Sequence, residues 1–288
     1  MHYEFAKLHG AGNDFVMIDD MNDQITFTPE QIAHICDRHF GVGADGVIVV
    51  KPSPRPECAA YMDYYNADGT KAQMCGNGVR CFAKFLVDRG IVDAAAGSFV
   101  ADTLSGPKPM KFKLGEDGLV TCATVDMGEP ELRSAKIPAR LTETDTPFGP
   151  AVVEQPVRLG SMALDVTCVS MGNPHAVTFV DDPMKVDVDV IGPQVEEHIV
   201  FPEKTNVEFA SVHGDTIVMR VWERGVGETL ACGTGCCATA VAAHITGRAA
   251  RQVHVKVLGG VIDIDWRQDN HVYMTGPAEQ SFTGSFDL

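Results

Sequence analysis

Two cysteines in this chain open the same short motif. Cys75 begins Cys-Gly-Asn-Gly, Cys232 begins Cys-Gly-Thr-Gly, and an apolar segment follows each. The glycines let backbone N–H groups approach a ligand closely and point at an anion such as a carboxylate. A free thiol titrates near pH ~8.5, and a helix N-terminus favours its ionised form. If each motif starts a helix, Cys75 and Cys232 are both expected to lean towards thiolate. Two such thiols on opposite faces of a carbon acid could invert a stereocentre. One thiolate removes a proton and the other thiol donates one from the far side. The reverse reaction exchanges the roles, so the site needs two similar groups. Neither a metal nor an organic cofactor is required, provided that fixed donors on the substrate carboxylate stabilise the carbanion.

Other readings of these residues are weaker. Neither half holds a C-x-x-C redox pair, and no paired C-x-x-C knuckles or H-E-x-x-H suggest zinc. Cys36, Cys58, Cys122 and Cys168 have no motif around them and read as bystanders. Cys81, Cys236 and Cys237 are expected to pack along buried helices. The stretch GAGNDF (10–15) begins like a dinucleotide fingerprint, but Phe15 stands where its third glycine belongs. The stretch GVGADG (41–46) lacks the lysine of a phosphate loop. Both fit substrate loops, with plain turns as the alternative.

The elements that must position the thiols are mostly strands. MKFKL (110–114) alternates and ends in the turn GEDG; VHVKV (253–257), VIDIDW (261–266) and HVYM (271–274) form a succession of hairpins. Thr28-Pro29-Glu30 reads as a helix start, with Ile32, Ile35 and Cys36 on its inner face. KPSPRPE (51–57) and TDTPFGP (144–150) read as loops. After Cys75, Val79, Phe82, Ala83 and Leu86 recur at helical spacing up to Arg89-Gly90. After Cys232, no charged residue precedes Arg248 if His244 is neutral, so that helix must be buried on every side.

The two halves also repeat. Asn66 to Cys75 lies over Glu223 to Cys232 at an offset of 157 residues, and Gly12-Asn13 lies over Gly172-Asn173 at 160, as does Gly46 over Asn206. The common order is a Gly-Asn loop, a second loop, a strand ending in a polar residue, then Cys-Gly-x-Gly and a helix. Duplication into two similar domains facing each other across a cleft is expected.

Composition sets the outer limits. The 288 residues carry a formal net charge of −16, which argues against nucleic acid and anionic membrane as partners but says little about a zwitterionic small molecule. No apolar run is long enough to span a bilayer, and MHYEFAKLHGAGND lacks the apolar core of a signal peptide. Nine cysteines in a chain of this length are expected to be free thiols in a reducing cytoplasm.

Taken together, KLHGAGNDFVMID (7–19), YNADGTKAQMCGNGVRC (65–81), MGNPH (171–175), TNVEF (205–209) and ERGVGETLACGTG (223–235) resemble the diaminopimelate epimerases over nearly the whole chain. The resemblance implies an α/β (α+β) fold of two pseudo-symmetric domains. Each would be an antiparallel, barrel-like sheet around a central helix, with the active site in the cleft between them. The expected division is 1–122 plus 277–288 for the domain with Cys75, and 123–276 for the domain with Cys232. It implies Cys75 and Cys232 as acid/base thiols, tuned by His175 and Glu223. Gly76 with Asn77, and Gly233 with Thr234, would bind the reacting carboxylate. Asn13, Asn66, Asn173, Asn206 and Glu223 would contact an amino acid substrate, and Arg224 would hold its distal carboxylate. For any single asparagine, local turn chemistry is the alternative. No cofactor and no metal are implied, and family members are often homodimers. The related proline racemases usually carry His where this chain has Asn77, which favours diaminopimelate.

One departure stands out. Many of these epimerases have Gln after GVGxD, whereas this chain has Gly46, which supplies no side-chain amide. On the residues alone, two alternatives remain: another cofactor-free amino acid racemase or epimerase, or a two-lobed amino acid binding protein without catalysis.

Overall fold

The computed structural model describes residues 1–72 and 74–288; Gln73, inside the repeated segment 66–75, lies outside the described residues. The chain divides into two compact units, Met1–Asp126 with Thr275–Leu288, and Met127–Met274. The crossings fall at 126/127 and 274/275 rather than the expected 122/123 and 276/277. The strand Val120–Asp126 runs unbroken, so all of it stays with the first unit's sheet.

The first unit runs β1 (His2–Gly10), β2 (Asn13–Asp19), α1 (Pro29–Cys36), β3 (Gly46–Lys51), β4 (Ala60–Asn66), α2 (Gly76–Asp88), β5 (Ser98–Asp102), β6 (Lys108–Leu114) and β7 (Val120–Asp126). The second runs β8 (Thr144–Thr146), β9 (Gly149–Ala151), β10 (Gln155–Leu159), β11 (Met162–Ser170), β12 (Pro174–Phe179), α3 (Val188–Glu196), β13 (Asn206–His213), β14 (Thr216–Glu223), β15 (Gly227–Thr229), α4 (Gly233–Ile245), β16 (Gln252–Val257) and β17 (Gly260–Trp266). β18 (Val272–Pro277) carries the chain back, and β19 (Glu279–Asp287) pairs with β1 in the first unit. The expected loop at 144–150 is instead the β8–β9 hairpin, because Thr146 and Gly149 close a tight turn.

The same pairing sequence occurs twice. β1–β2 is antiparallel, β2–β3 parallel, β3–β4 antiparallel, β4–β5 parallel and β5–β6 antiparallel. In the second unit, β11–β12, β12–β13, β13–β14, β14–β16 and β16–β17 repeat that order. The sheets are therefore mixed rather than wholly antiparallel. The parallel pairs arise where α1, α2, α3 or α4 intervenes, since parallel neighbours need a crossover long enough to hold a helix. Even the register repeats: Phe15 lies opposite Gly46, and His175 opposite Asn206.

Side-chain alternation along the strands feeds two layers. In β2, Val16 and Ile18 pack with Ile32 and Ile35 of α1. Phe15, next in line, points the other way and meets Gly78 of α2, together with Ile48 and Met62. Every residue of α2 from Gly76 to Val87 is buried, including Arg80 and Lys84. α4 is buried from Gly233 to Ala243 except at Thr234. Thr28 caps α1 in a capping box with Gln31. No helix among the described residues is long and apolar enough to cross a membrane.

Candidate active site

Cys75 and Cys232 occupy equivalent positions: each is the N-cap of its unit's central helix. Cys75 has extended backbone and its sulfur accepts from Gly78 N at 3.5 Å; Cys232 does the same and accepts from Gly235 N at 3.4 Å. The glycine at the third helical position is needed on both sides. A Cβ at Gly78 would come within 3.3 Å of Met62, Ile48 and Phe15, and one at Gly235 would meet Glu208 Oε1 at 2.8 Å and Cys232 Sγ at 3.3 Å. None of the nine cysteines is in a disulfide, and Cys81, Cys236 and Cys237 are buried along the two helices.

In the first unit, three candidate residues converge. The Cys75 thiol donates to Asn13 Oδ1 at 3.4 Å, and Asn77 Nδ2 donates to the same oxygen at 3.2 Å. Arg80, fully buried one turn on, donates to Asn77 Oδ1 at 3.0 Å and to Gly76 O at 3.1 Å. Asn13 owes its position to the β1–β2 hairpin, whose turn places Gly12 at φ +85°. Asn66, at the end of β4, is turned towards Thr70, donating to its hydroxyl at 3.0 Å. Gly46 lies opposite Asn66 across β3 and β4. A Cβ at Gly46 would come 2.6 Å from Tyr65 O and 2.8 Å from the Tyr64 ring, so the ring fills the space a longer side chain needs.

The second unit repeats the geometry with different chemistry. Gly172 takes φ +98° in the turn before β12, which places Asn173. His175, opposite Asn206, is wholly buried; its Nε2 lies 3.1 Å from Asn173 Oδ1 and its Nδ1 lies 2.6 Å from Glu208 Oε1. Asn206 acts as a clamp: Nδ2 donates to Pro174 O at 2.7 Å, and Oδ1 accepts from Arg224 N at 2.9 Å. The exposed Arg224 side chain reaches Glu203 O at 3.1 Å. Glu223 accepts from Thr229 at 2.5 Å and is a hydrogen-bond neighbour of the Cys232 thiol. Thr234 Oγ1 lies 3.4 Å from Cys232 Sγ.

The electrostatics correct one expectation. The helix N-terminus does not make Cys232 a ready thiolate; its thiol is pushed well above the ordinary range. Burial is the largest cause, and the Glu223 and Glu208 charges add to it, outweighing the hydrogen bonds from Thr234 and Gly235. A helix terminus is worth only about 0.3–1 kcal/mol, whereas full burial shifts a titration by up to several units. Burial also raises Glu223; its bonds to Thr229 and Cys232 and the His175 charge oppose this, and the Glu208 charge adds to it.

Three neighbours of these residues were not singled out from sequence. Glu208 sits within TNVEF, where a lone carboxylate between Val207 and Phe209 is the available signal. Arg80 lies in the α2 motif itself. Asp45 precedes Gly46, and Asn13 Nδ2 donates to its Oδ2 at 2.7 Å.

Known proteins resemble this chain in sequence and in fold. The family model described as diaminopimelate epimerase matches residues 5–133 and 167–280. The chain is 48% identical, over 100% of its length and 99% of the relative's, to a diaminopimelate epimerase of Synechococcus elongatus. It is 46% identical, over the full length of both chains, to one of Synechocystis. Among solved structures it resembles a hydroxyproline epimerase of Agrobacterium vitis, with TM-score 0.71 and 12% identity over 100% of this chain and 93% of the other. It also resembles a phenazine biosynthesis protein of the PhzF family from Bacillus anthracis, with TM-score 0.70 and 15% identity over 100% of both chains. At such identities these two likenesses speak for the fold alone. Matched by the family model over most of its length and by close relatives over all of it, the chain belongs to the diaminopimelate epimerase family, a family of isomerases.

Proposed function

We propose that this protein interconverts LL- and meso-diaminopimelate without a cofactor, using Cys75 and Cys232 as the two acid/base thiols. The observation that carries the reading is the duplicated N-cap: a thiol at the start of each central helix, in a chain nearly half identical to named diaminopimelate epimerases. The reading requires the two half-sites to close on one substrate, with one thiol on each face of the α-carbon. The thiolate on one side takes the α-proton, and the thiol on the other delivers its own. The electron pair left on carbon delocalises into the adjacent carboxylate. Backbone N–H groups at the two helix starts, with Asn77 and Thr234, stabilise that charge. Cys232, held protonated by burial and two carboxylates, is suited to wait as the donor. In this reading Glu223 and His175 pair with the reacting ammonium and tune the two cysteines. Asn13, Asn66, Asn173, Asn206 and Arg224 are the candidates for the remaining polar ends of the substrate.

The same reading places the enzyme in lysine and peptidoglycan-precursor synthesis, in the cytoplasm, and as a homodimer. It is tested by incubating purified protein with LL-diaminopimelate and no added pyridoxal phosphate. Formation of the meso isomer supports the proposal. Turnover of proline or hydroxyproline instead would move the protein to the neighbouring racemases, and binding without turnover would favour a binding protein.

A further inference from the structure

Three side chains of the second unit form a line with Glu208 at one end and Asn173 at the other. Glu208 Oε1 lies 2.6 Å from His175 Nδ1, and His175 Nε2 lies 3.1 Å from Asn173 Oδ1. A neutral imidazole has one N–H and one bare nitrogen, and the partners decide which is which. Asn173 does not decide it. Its amide makes no other hydrogen bond among the described residues, so it can accept from a protonated Nε2 or turn over and donate to a bare one. The equivalent Asn13 of the first unit differs, since Asn77 and Asp45 both bind its amide. The choice falls to Glu208, whose side chain has His175 as its one hydrogen-bond and ion-pair partner among the described residues.

We propose that Glu208 is a positioning residue that keeps a proton on His175 Nδ1, so that Nε2, on the Asn173 side, is the nitrogen whose proton comes and goes. The proton between the two side chains belongs on the nitrogen. An imidazolium ordinarily holds its proton about two pH units more tightly than a glutamic acid does. Glu208 Oε1 also packs against the first turn of α4, where a Cβ at Gly235 would come 2.8 Å from it, and a helix N-terminus favours an ionised carboxylate. Oε2 is buried with no hydrogen-bond partner among the described residues, so a carboxylic O–H placed there would have no acceptor. The other titratable groups around the pair are Glu223 at the end of β14, Cys232 before α4 and Cys168 on β11. None of these three can bring a positive charge to Glu208 in place of His175. With Nδ1 occupied, a proton on Nε2 engages the Asn173 oxygen and leaves its NH2 for a ligand; a bare Nε2 engages the NH2 and leaves the oxygen. That use of Asn173 rests on the reading of this half-site as one for an amino acid substrate, but the test of the proton does not.

Long-range proton–nitrogen correlation NMR of the full chain, labelled with ¹⁵N-histidine, reads both ring nitrogens directly. The chain has ten histidines, so His175 is assigned by the signal missing from His175→Gln. Spectra are taken from about pH 6 to about pH 9, across the ordinary imidazole titration near ~6.5. In the wild type Nδ1 should carry a proton at every pH, whether the ring is charged or neutral, and any change should fall on Nε2. Asn173→Ala removes the partner of Nε2 and should leave Nδ1 protonated. Glu208→Leu keeps an apolar volume but offers no acceptor. There Nδ1 should lose its proton on the alkaline side, with the proton of the neutral ring moving to Nε2, where Asn173 can still accept it. A bare Nδ1 in the wild type or in Asn173→Ala would overturn the proposal, as would a protonated Nδ1 in alkaline Glu208→Leu. If Glu208→Leu fails to fold, the wild type and Asn173→Ala still decide the matter, since a bare Nδ1 in either contradicts it and a protonated Nδ1 in both supports it. Because the readout is the ring itself, it stands or falls apart from whether the protein epimerises diaminopimelate.

Discussion

His175 Nδ1 lies 2.6 Å from Glu208 Oε1, and neither side chain is exposed to solvent. At the equivalent register the first unit places Phe15, so the pair belongs to one half-site only. A buried carboxylate is tolerated when paired and hydrogen-bonded, and removing one partner leaves the other unpaired in a low-dielectric interior. Glu208→Ala, which removes the partner outright, should lower the unfolding free energy by about 3 kcal/mol. Urea denaturation followed by far-ultraviolet circular dichroism checks this. A change below about 0.5 kcal/mol, the size of an ordinary surface substitution, would show that the pair contributes little.

Replacing either thiol by hydroxyl should remove one proton carrier and leave the fold. Cys75→Ser and Cys232→Ser should each retain less than a tenth of wild-type turnover, a barrier increase above about 1.4 kcal/mol. Unfolding midpoints close to wild type should accompany the loss. A variant that kept most of its activity would exclude that cysteine from the reaction.

Buried thiols predict an alkaline limit to stability. Burial, with the Asp14 and Asp45 charges behind it, pushes Cys36 up to about 12, and burial pushes Cys81 up to about 12. In the unfolded chain a thiol titrates near pH ~8.5. The folded value is the higher one, so this contribution is fully present below pH ~8.5 and is lost as pH rises towards the folded value, by up to about 1.4 kcal/mol per pH unit for each group. Urea midpoints measured under reducing conditions should be level at neutral pH and fall above about pH 9. Cys81→Ala should flatten the slope. Midpoints unchanged well into the alkaline range would contradict burial-held protonation.

The duplicated features were legible in sequence because they depend on local chemistry. A cysteine before Gly-x-Gly, a Gly-Asn turn at positive φ, and Thr28-Pro29 at a helix start each announce their own backbone. The offset of 160 residues between Gly46 and Asn206 reappears as a shared register opposite Phe15 and His175. What sequence did not reveal depends on distant packing. Arg80 and Lys84 carry charge and would ordinarily face water, yet α2 is enclosed on every side, and Gly10 and Gly276 from opposite ends of the chain make room for Arg80. Glu208 is the lone carboxylate of β13, and the parallel β12–β13 pairing brings it to His175. The rise in the Cys232 titration follows from that same burial, which no capping argument contains. Parallel pairings were missed for the same reason: hairpins are written in adjacent residues, crossovers are not.

In the proposed reaction each face of the α-carbon has its own proton carrier. The direct measurement is epimerisation of LL-diaminopimelate in D₂O, with mass spectrometry and NMR of the product. Each thiol should exchange with solvent between turnovers. The meso product should therefore gain one mass unit per inversion, with deuterium at the inverted α-carbon and hydrogen kept at the other stereocentre. Product formed without α-deuterium would point to return of the same proton by a single group reaching both faces, and would contradict the two-thiol account.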